Sequence, residues 1–184
     1  MQLACCMLRF ALGEVGLKLK NLIYAAMFAA LTFVVTAFVK IPLPSVGYVH
    51  LGDVFVFAAG ALLPLPYAAC AAALGGALAD LAAGYADYMV VTAVVKAAMA
   101  AVVWLIGKNG GWRLVVSLAV STVVLAAGYY AYEWIKYGFT VAIANVPFNL
   151  LQGAVCAVVA FPLAVVAKKY LIKTACNEQE ESKK

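Results

Sequence analysis

Asp80 and Lys96 are ionisable side chains set inside long apolar runs. An unpaired charge is costly there and usually faces a protein interior or a water-filled cavity. Asp80 lies about six residues, or ~9 Å, from the end of its run, and Lys96 about eight residues, or ~12 Å, from the start of the next. The two runs are sequence neighbours of opposite direction, so the similar depths predict an ion pair between Asp80 and Lys96. Two readings of that pair stand side by side: a lock between two helices, and part of a ligand cavity. Asn149 and Gln152 are three residues apart and share one helical face. Their carboxamides donate and accept together, which suits contact with a neutral heterocycle; the competing reading is hydrogen bonding between helices. Glu133 ends the preceding run, as a ligand contact or as a solvated carboxylate.

The segment KIPLPSVGYVHLGD, residues 40–53, holds two prolines, Pro42 and Pro44, that stiffen it, together with Tyr48 and the one histidine of the chain, His50. His50 is placed at the mouth of the cavity, where a lid would lie; its bland alternative is a solvated loop imidazole. Asp53 opens the next helix and reads as its N-cap. Tyr85 and Tyr88, in GYADY, are candidates to stack on a flat ligand. Tyr129, Tyr130, Tyr132, Trp134 and Tyr137 form an interfacial aromatic belt. The candidate substrate-binding set is therefore Tyr48, His50, Tyr85, Tyr88, Lys96, Glu133, Asn149 and Gln152.

Nothing in the chain reads as catalytic. There is no HExxH, no GxSxG and no Cys/His metal cluster. The phosphate-binding GxxxxGK[ST] pattern fails at Gly107-Lys108, because Val102 takes the place of its first glycine and Asn109 that of its hydroxyl. No cofactor or metal is expected, and an ATP-driven process would need its ATPase on another polypeptide. Among the five cysteines, none forms a CxxC, and Cys70 and Cys156 sit in apolar runs as buried thiols.

The elements that must position these groups are set by hydropathy. Apolar residues make up 67% of the 184-residue chain and charged residues 11%, with a mean hydropathy of +1.02. A water-soluble domain has about half its residues apolar and about a quarter charged, so lipid must solvate most of this surface. Six apolar runs follow, at about 22–39, 54–63, 67–85, 89–106, 114–132 and 147–167. The expectation is an all-α bundle of about six transmembrane helices over residues 21–170, with a lead at 1–20 and a charged tail at 171–184. The second run is too short for a bilayer of about 30 Å and reads as a short shielded helix. Pro147 fits the first turn of the last helix. Lys18 and Lys20, Lys108 and Arg113, and Lys168, Lys169 and Lys173 fall on one side of a six-span chain, against Lys40 and Lys136 on the other. That asymmetry places both termini in the cytoplasm of a multi-pass cell-membrane protein. The modest net charge of +5 points to anionic lipid and not to nucleic acid. The polar residues cluster towards the outer side, while residues 97–106 and 157–167 hold no ionisable group. An outward-facing polar pocket above an apolar floor is the simplest arrangement.

Small residues form strips. Ala25 with Ala29, and Ala26 with Ala30, give two AxxxA spacings on the first helix, which allow close helix contact, inside the bundle or with a membrane partner. The segments AAMFAALTFVV, YVHLGDVFVFAAGALLP, ALGGALADLAAGYADYMVVTAVVKAAMA and VPFNLLQGAVCAVVAFPL resemble the substrate-binding S components of energy-coupling factor (ECF-type) vitamin transporters, riboflavin type. The resemblance covers most of residues 21–167. It implies a six-helix bundle that captures a vitamin or vitamin precursor from outside. It also implies docking through Ala25, Ala26, Ala29 and Ala30 onto a membrane coupling subunit that carries two ATPase subunits. It matches Asn149 and Gln152 to ligand contacts and Lys96 to a lysine of helix four. VVT at residues 90–92 departs from the pattern, which has a proline near the start of helix four. If Asp80 neutralises Lys96, the cavity has no free cation, and an uncharged flat heterocycle is the expected ligand. A solitary ion-coupled carrier using Asp80, Lys96 and Glu133, and a ligand-free membrane scaffold, are the alternatives.

Overall fold

The computed structural model describes residues 2–43, 47–108 and 110–181, with side chains described between 18 and 170. Pro44 and the side chains of Cys5, Cys6 and Cys176 lie outside the described residues. Among the described residues there are six helices: α1 (Gln2–Phe38), α2 (Asp53–Leu62), α3 (Leu65–Ala82), α4 (Met89–Gly107), α5 (Gly111–Tyr137) and α6 (Phe139–Glu181). Five contain stretches long and apolar enough to cross a bilayer: Lys18–Phe38, Leu65–Ala82, Met89–Gly107, Gly111–Tyr137 and Phe139–Tyr170. The α2 helix has 10 residues and spans only about 15 Å.

The long helices form an arc in chain order, α1 on α3, α3 on α4, α4 on α5 and α5 on α6. Helix α2 fills the inside of this arc and touches α1, α3, α4 and α6. Its burial follows from that position: Val56, Phe57, Ala58 and Ala59 are at most 1% exposed. A helix this short cannot span, so it is stable at membrane depth because protein surrounds it. Pro64 and Pro66 end it and begin α3.

Cys156 is buried as expected, but Cys70 is exposed on the outer face of α3, and three details of the elements also differ from the sequence expectation. Residues 40–50 are not a plain loop. Strands β1 (Lys40–Pro42) and β2 (Tyr48–His50) pair antiparallel, Lys40 opposite His50 and Pro42 opposite Tyr48. Pro147 is not at a first helical turn, because α6 begins at Phe139 and carries both Pro147 and Pro162 inside it. Prolines are tolerated within membrane helices where neighbouring groups satisfy the freed carbonyl. The connection expected at 133–146 shrinks to Gly138, whose φ of 90° suits a residue without a Cβ.

Candidate functional site

The hairpin and the adjoining ends of α3, α4, α5 and α6 enclose a cavity of about 30 Å³, room for one or two water molecules. Its walls include Tyr48, His50, Tyr85, Tyr88, Glu133, Asn149 and Gln152, together with Asp80, Thr92 and Tyr129. Seven of the eight expected binding residues thus share one cavity. Lys96 is the exception and lies fully buried beneath it.

The expected pair of Asp80 with Lys96 is not formed. Lys96 Nζ lies 2.5 Å from Asp53 Oδ1, and both side chains are fully buried. The reason is register. Gly76 packs between Thr92 and Lys96, where a Cβ would stand 3.0 Å from Lys96 Cγ. Asp80, one turn further along α3, is therefore displaced from Lys96 towards the hairpin. Helix α2, inserted from inside the arc, delivers Asp53 to the lysine instead. The N-cap reading of Asp53 falls with this: Gly52 holds the cap position and no side chain caps the helix.

Asp53 is the centre of a buried network. Its Oδ2 accepts from Gln152 Nε2 at 2.6 Å, and Gln152 Oε1 accepts from the His50 backbone N–H at 3.0 Å. The Gly52 N–H donates to His50 Nδ1 at 3.1 Å. The imidazole is buried and not solvated. Burial, with the charge of Lys96 second, lowers its pKa to about 4, so it is neutral at physiological pH. Lys96 Nζ also stands 5.6 Å from the centre of the Tyr129 ring.

Above this layer sit two more carboxylates. Asp80 Oδ1 accepts from Tyr48 Oη at 2.6 Å, while its buried Oδ2 has no hydrogen-bond partner. Glu133 is buried and accepts from Tyr88 Oη at 3.3 Å and from Asn145 Nδ2 at 3.0 Å. The tyrosines form a connected aromatic wall: Tyr48 to Tyr85 at 5.3 Å, Tyr85 to Tyr88 at 6.0 Å and Tyr88 to Tyr129 at 6.3 Å between ring centres. Of the expected belt, Trp134 is exposed, but Tyr129 is buried and lines the cavity. Its hydroxyl lies 2.9 Å from Thr92 Oγ1. Sequence reading missed Tyr129, Thr92 and the role of Asp53. The signal for the first two was spacing: Tyr129 precedes Glu133, and Thr92 precedes Lys96, by four residues each.

The two alanine strips of α1 separate. Ala25 is buried in the core, and the Ala29 carbonyl lies 2.7 Å from where a Cβ on Gly75 of α3 would be. Ala26 and Ala30 are exposed on the outer face of α1. At the end of the bundle away from the hairpin, Lys168 Nζ donates to the Gly107 carbonyl at 3.2 Å, which caps α4 with a cation.

Comparison with known proteins agrees with this architecture. A solved structure titled "Structure and mechanism of the S component of a bacterial ECF transporter" is similar in fold, with a TM-score of 0.70 at 22% identity, over 84% of this chain and 98% of that one. A Pyrococcus woesei protein described as "Uncharacterized protein in gap 3'region" is 27% identical over 139 residues, 74% of this chain and 93% of its own length. Residues 16–169 match the family described as ECF-type riboflavin transporter, S component. With most of its length inside that match, the chain belongs to the family of ECF-type riboflavin transporter S components.

Proposed function

We propose that this S component captures a small vitamin-like heterocycle from outside the cell and passes it inward by docking on a separate coupling subunit with two ATPases. The observation that carries the reading is the cavity itself. Polar and aromatic side chains converge at the hairpin end, while Met99, Val103, Leu114 and Leu118 form an apolar core deeper in the bundle. Such an arrangement binds at one face and offers no continuous polar path across. The cavity is too small for a heterocycle as it stands, so loading displaces Tyr48 and His50 on the hairpin, the one wall that is not helical. Lysines 18, 20, 108 and 168 then face the cytoplasm with both termini, and the hairpin faces outward. Of the four alanines, Ala26 and Ala30 are the two left on the exposed surface of α1, where the coupling subunit would dock.

Mass spectrometry of small molecules released from the purified protein tests capture, and uptake with and without the coupling module tests docking. A stoichiometric heterocycle and uptake that depends on the ATPases support the reading. Uptake in cells that lack any coupling ATPase would overturn it in favour of an ion-coupled carrier.

A further inference from the structure

The bundle has a second opening, at the end away from the hairpin. Helix α2 joins α1 to α6, the two ends of the arc, which otherwise barely meet. It spans only about 15 Å, roughly half of a hydrocarbon core of about 30 Å. Beyond its last turn the seam between α1 and α6 is left unfilled, and a groove of about 450 Å³ occupies that place. Leu62 and Leu63, where α2 stops, line its inner end, with Met27 and Phe28 of α1 and Ala167 of α6 along its sides. The lining is graded. Lys20, Tyr24, Met27 and Phe28 follow one stripe of α1 at spacing i, i+4, i+7, i+8. Lys20 and Asn21 stand at the surface end of the groove, and Phe28 is eight residues, or about 12 Å, deeper than Lys20. An ammonium and a carboxamide thus give way to a tyrosine, at the level where such rings favour the membrane interface, and then to an apolar interior. A phospholipid has the same order of polarity from head to chain.

Charge selects among lipids. The carboxylates among the described side chains are Asp53, Asp80, Asp87 and Glu133. All of them lie at the hairpin end, bonded to Gln152, Tyr48, Tyr137 and Tyr88 respectively. The end that holds the groove carries Lys18, Lys20, Lys108, Arg113, Lys168 and Lys169, and no described carboxylate. Basic sites between helices at a cytoplasmic face attract anionic headgroups, whereas a zwitterionic headgroup would bring a further cation to Lys20. The larger groove of about 600 Å³ between α5 and α6 has no charged side chain in its lining and favours no headgroup. Ala26 and Ala30 lie on another side of α1 and outside the groove, so the docking face proposed for the coupling subunit is separate.

We propose that the groove between α1, α2 and α6 holds one anionic phospholipid, its phosphate on Lys20 beside the Asn21 carboxamide and an acyl chain along Tyr24, Met27 and Phe28 as far as Leu63. The lipid fills the seam that α2 is too short to close and ties α1 to α6 at the cytoplasmic end. This site is independent of what the hairpin cavity binds.

The test titrates full-length protein, delipidated in detergent, with phosphatidylglycerol and phosphatidylcholine carrying the same dioleoyl chains. Binding is read by native mass spectrometry and stability by thermal melting. Phosphatidylglycerol is expected to bind as one molecule per protein, about fivefold or more tightly than phosphatidylcholine, and to raise the melting temperature. Lys20→Gln is expected to reduce phosphatidylglycerol to the level of phosphatidylcholine. Met27→Trp, which fills the groove from a residue already 47% exposed, should weaken both lipids, and Lys40→Gln, at the hairpin end, should change neither. Melting temperatures without lipid serve as the control for folding, and the comparison of the two lipids on the unmutated protein stands without any variant. Equal binding of the two lipids overturns the inference, because the headgroup is then not recognised. Phosphatidylglycerol binding that survives both Lys20→Gln and Met27→Trp undiminished also overturns it, because the lipid then sits elsewhere. If neither lipid binds, the inference fails, and protection of Met27→Cys from maleimide by the coupling subunit would assign the groove to that partner instead.

Discussion

Lys96 is the residue on which the site turns. Its ammonium has one carboxylate partner, Asp53, within a layer closed by Gln152 and His50. Removing one member of a buried pair strands the other, which costs about 3–5 kcal/mol, whereas replacing both with apolar residues of similar volume is often neutral. Lys96→Met is therefore expected to lower the melting temperature sharply, and Lys96→Met with Asp53→Leu to recover most of the loss. Additive damage in the double variant would show that the two side chains act independently. His50 gives a pH signature. Its folded pKa is lowered to about 4 from the ordinary 6.5, so the unfolded chain binds the extra proton between those values. Stability should rise with pH across that window and be complete above it. His50→Gln should flatten this slope in melting curves taken from pH 4 to 7. The residue types of the site were legible in the sequence: seven of the expected contacts line the cavity. The partner of Lys96 was not, because depth along neighbouring helices ignores a third helix entering from the side. Asp53 at a helix start also carries the local signature of an N-cap, which masks its pairing with Lys96.

At the level of elements, hydropathy identified all six helices and the shortness of α2. It missed the true ends of α5 and α6, since Pro147 carries the same local signal at a first turn as inside a membrane helix. The paired strands at residues 40–50 were hidden for a different reason: each has three residues, too few for an alternating pattern to show. Helix contacts have their own test. A Cβ at residue 76 would already stand 3.0 Å from both Lys96 Cγ and Thr92 Cγ2. Gly76→Val should push α3 from α4 and destabilise by about 1–3 kcal/mol, the usual cost of overpacking, read as a drop in melting temperature. The two faces of α1 should respond differently. Ala30→Leu, on the exposed face, is expected to abolish uptake while the isolated protein still binds ligand. Ala25→Leu, in the core, should lower stability first. Equal loss of ligand binding in both would mean that the exposed face is not a docking surface.

The whole molecule is a sided object. Basic residues gather at the end away from the hairpin, where Lys168 reaches the end of α4 and Lys108 lies over Trp104. Single cysteines introduced at Lys108 and Lys40 in a cysteine-free background should react with an impermeant maleimide from opposite sides of the membrane, with only position 40 labelled in intact cells. Labelling of position 108 in intact cells would invert the orientation. The bundle architecture was readable from composition because lipid imposes one demand on every span. The interior was not, because which helix occupies the middle depends on packing that no single run reveals.

The central position of α2 also constrains biosynthesis. Asp53 is made 43 residues before Lys96 and 99 before Gln152. The ribosome therefore releases a short helix with a carboxylate well before either partner exists, and that helix cannot cross a membrane alone. Lys96 in turn raises the cost of inserting α4 by about 2.5–3.5 kcal/mol if it enters lipid unpaired. Helix α2 therefore completes its buried contacts only after α4 and α6 have been made. The Asp53 network is thus closed by residues from the second half of the chain, Lys96 and Gln152.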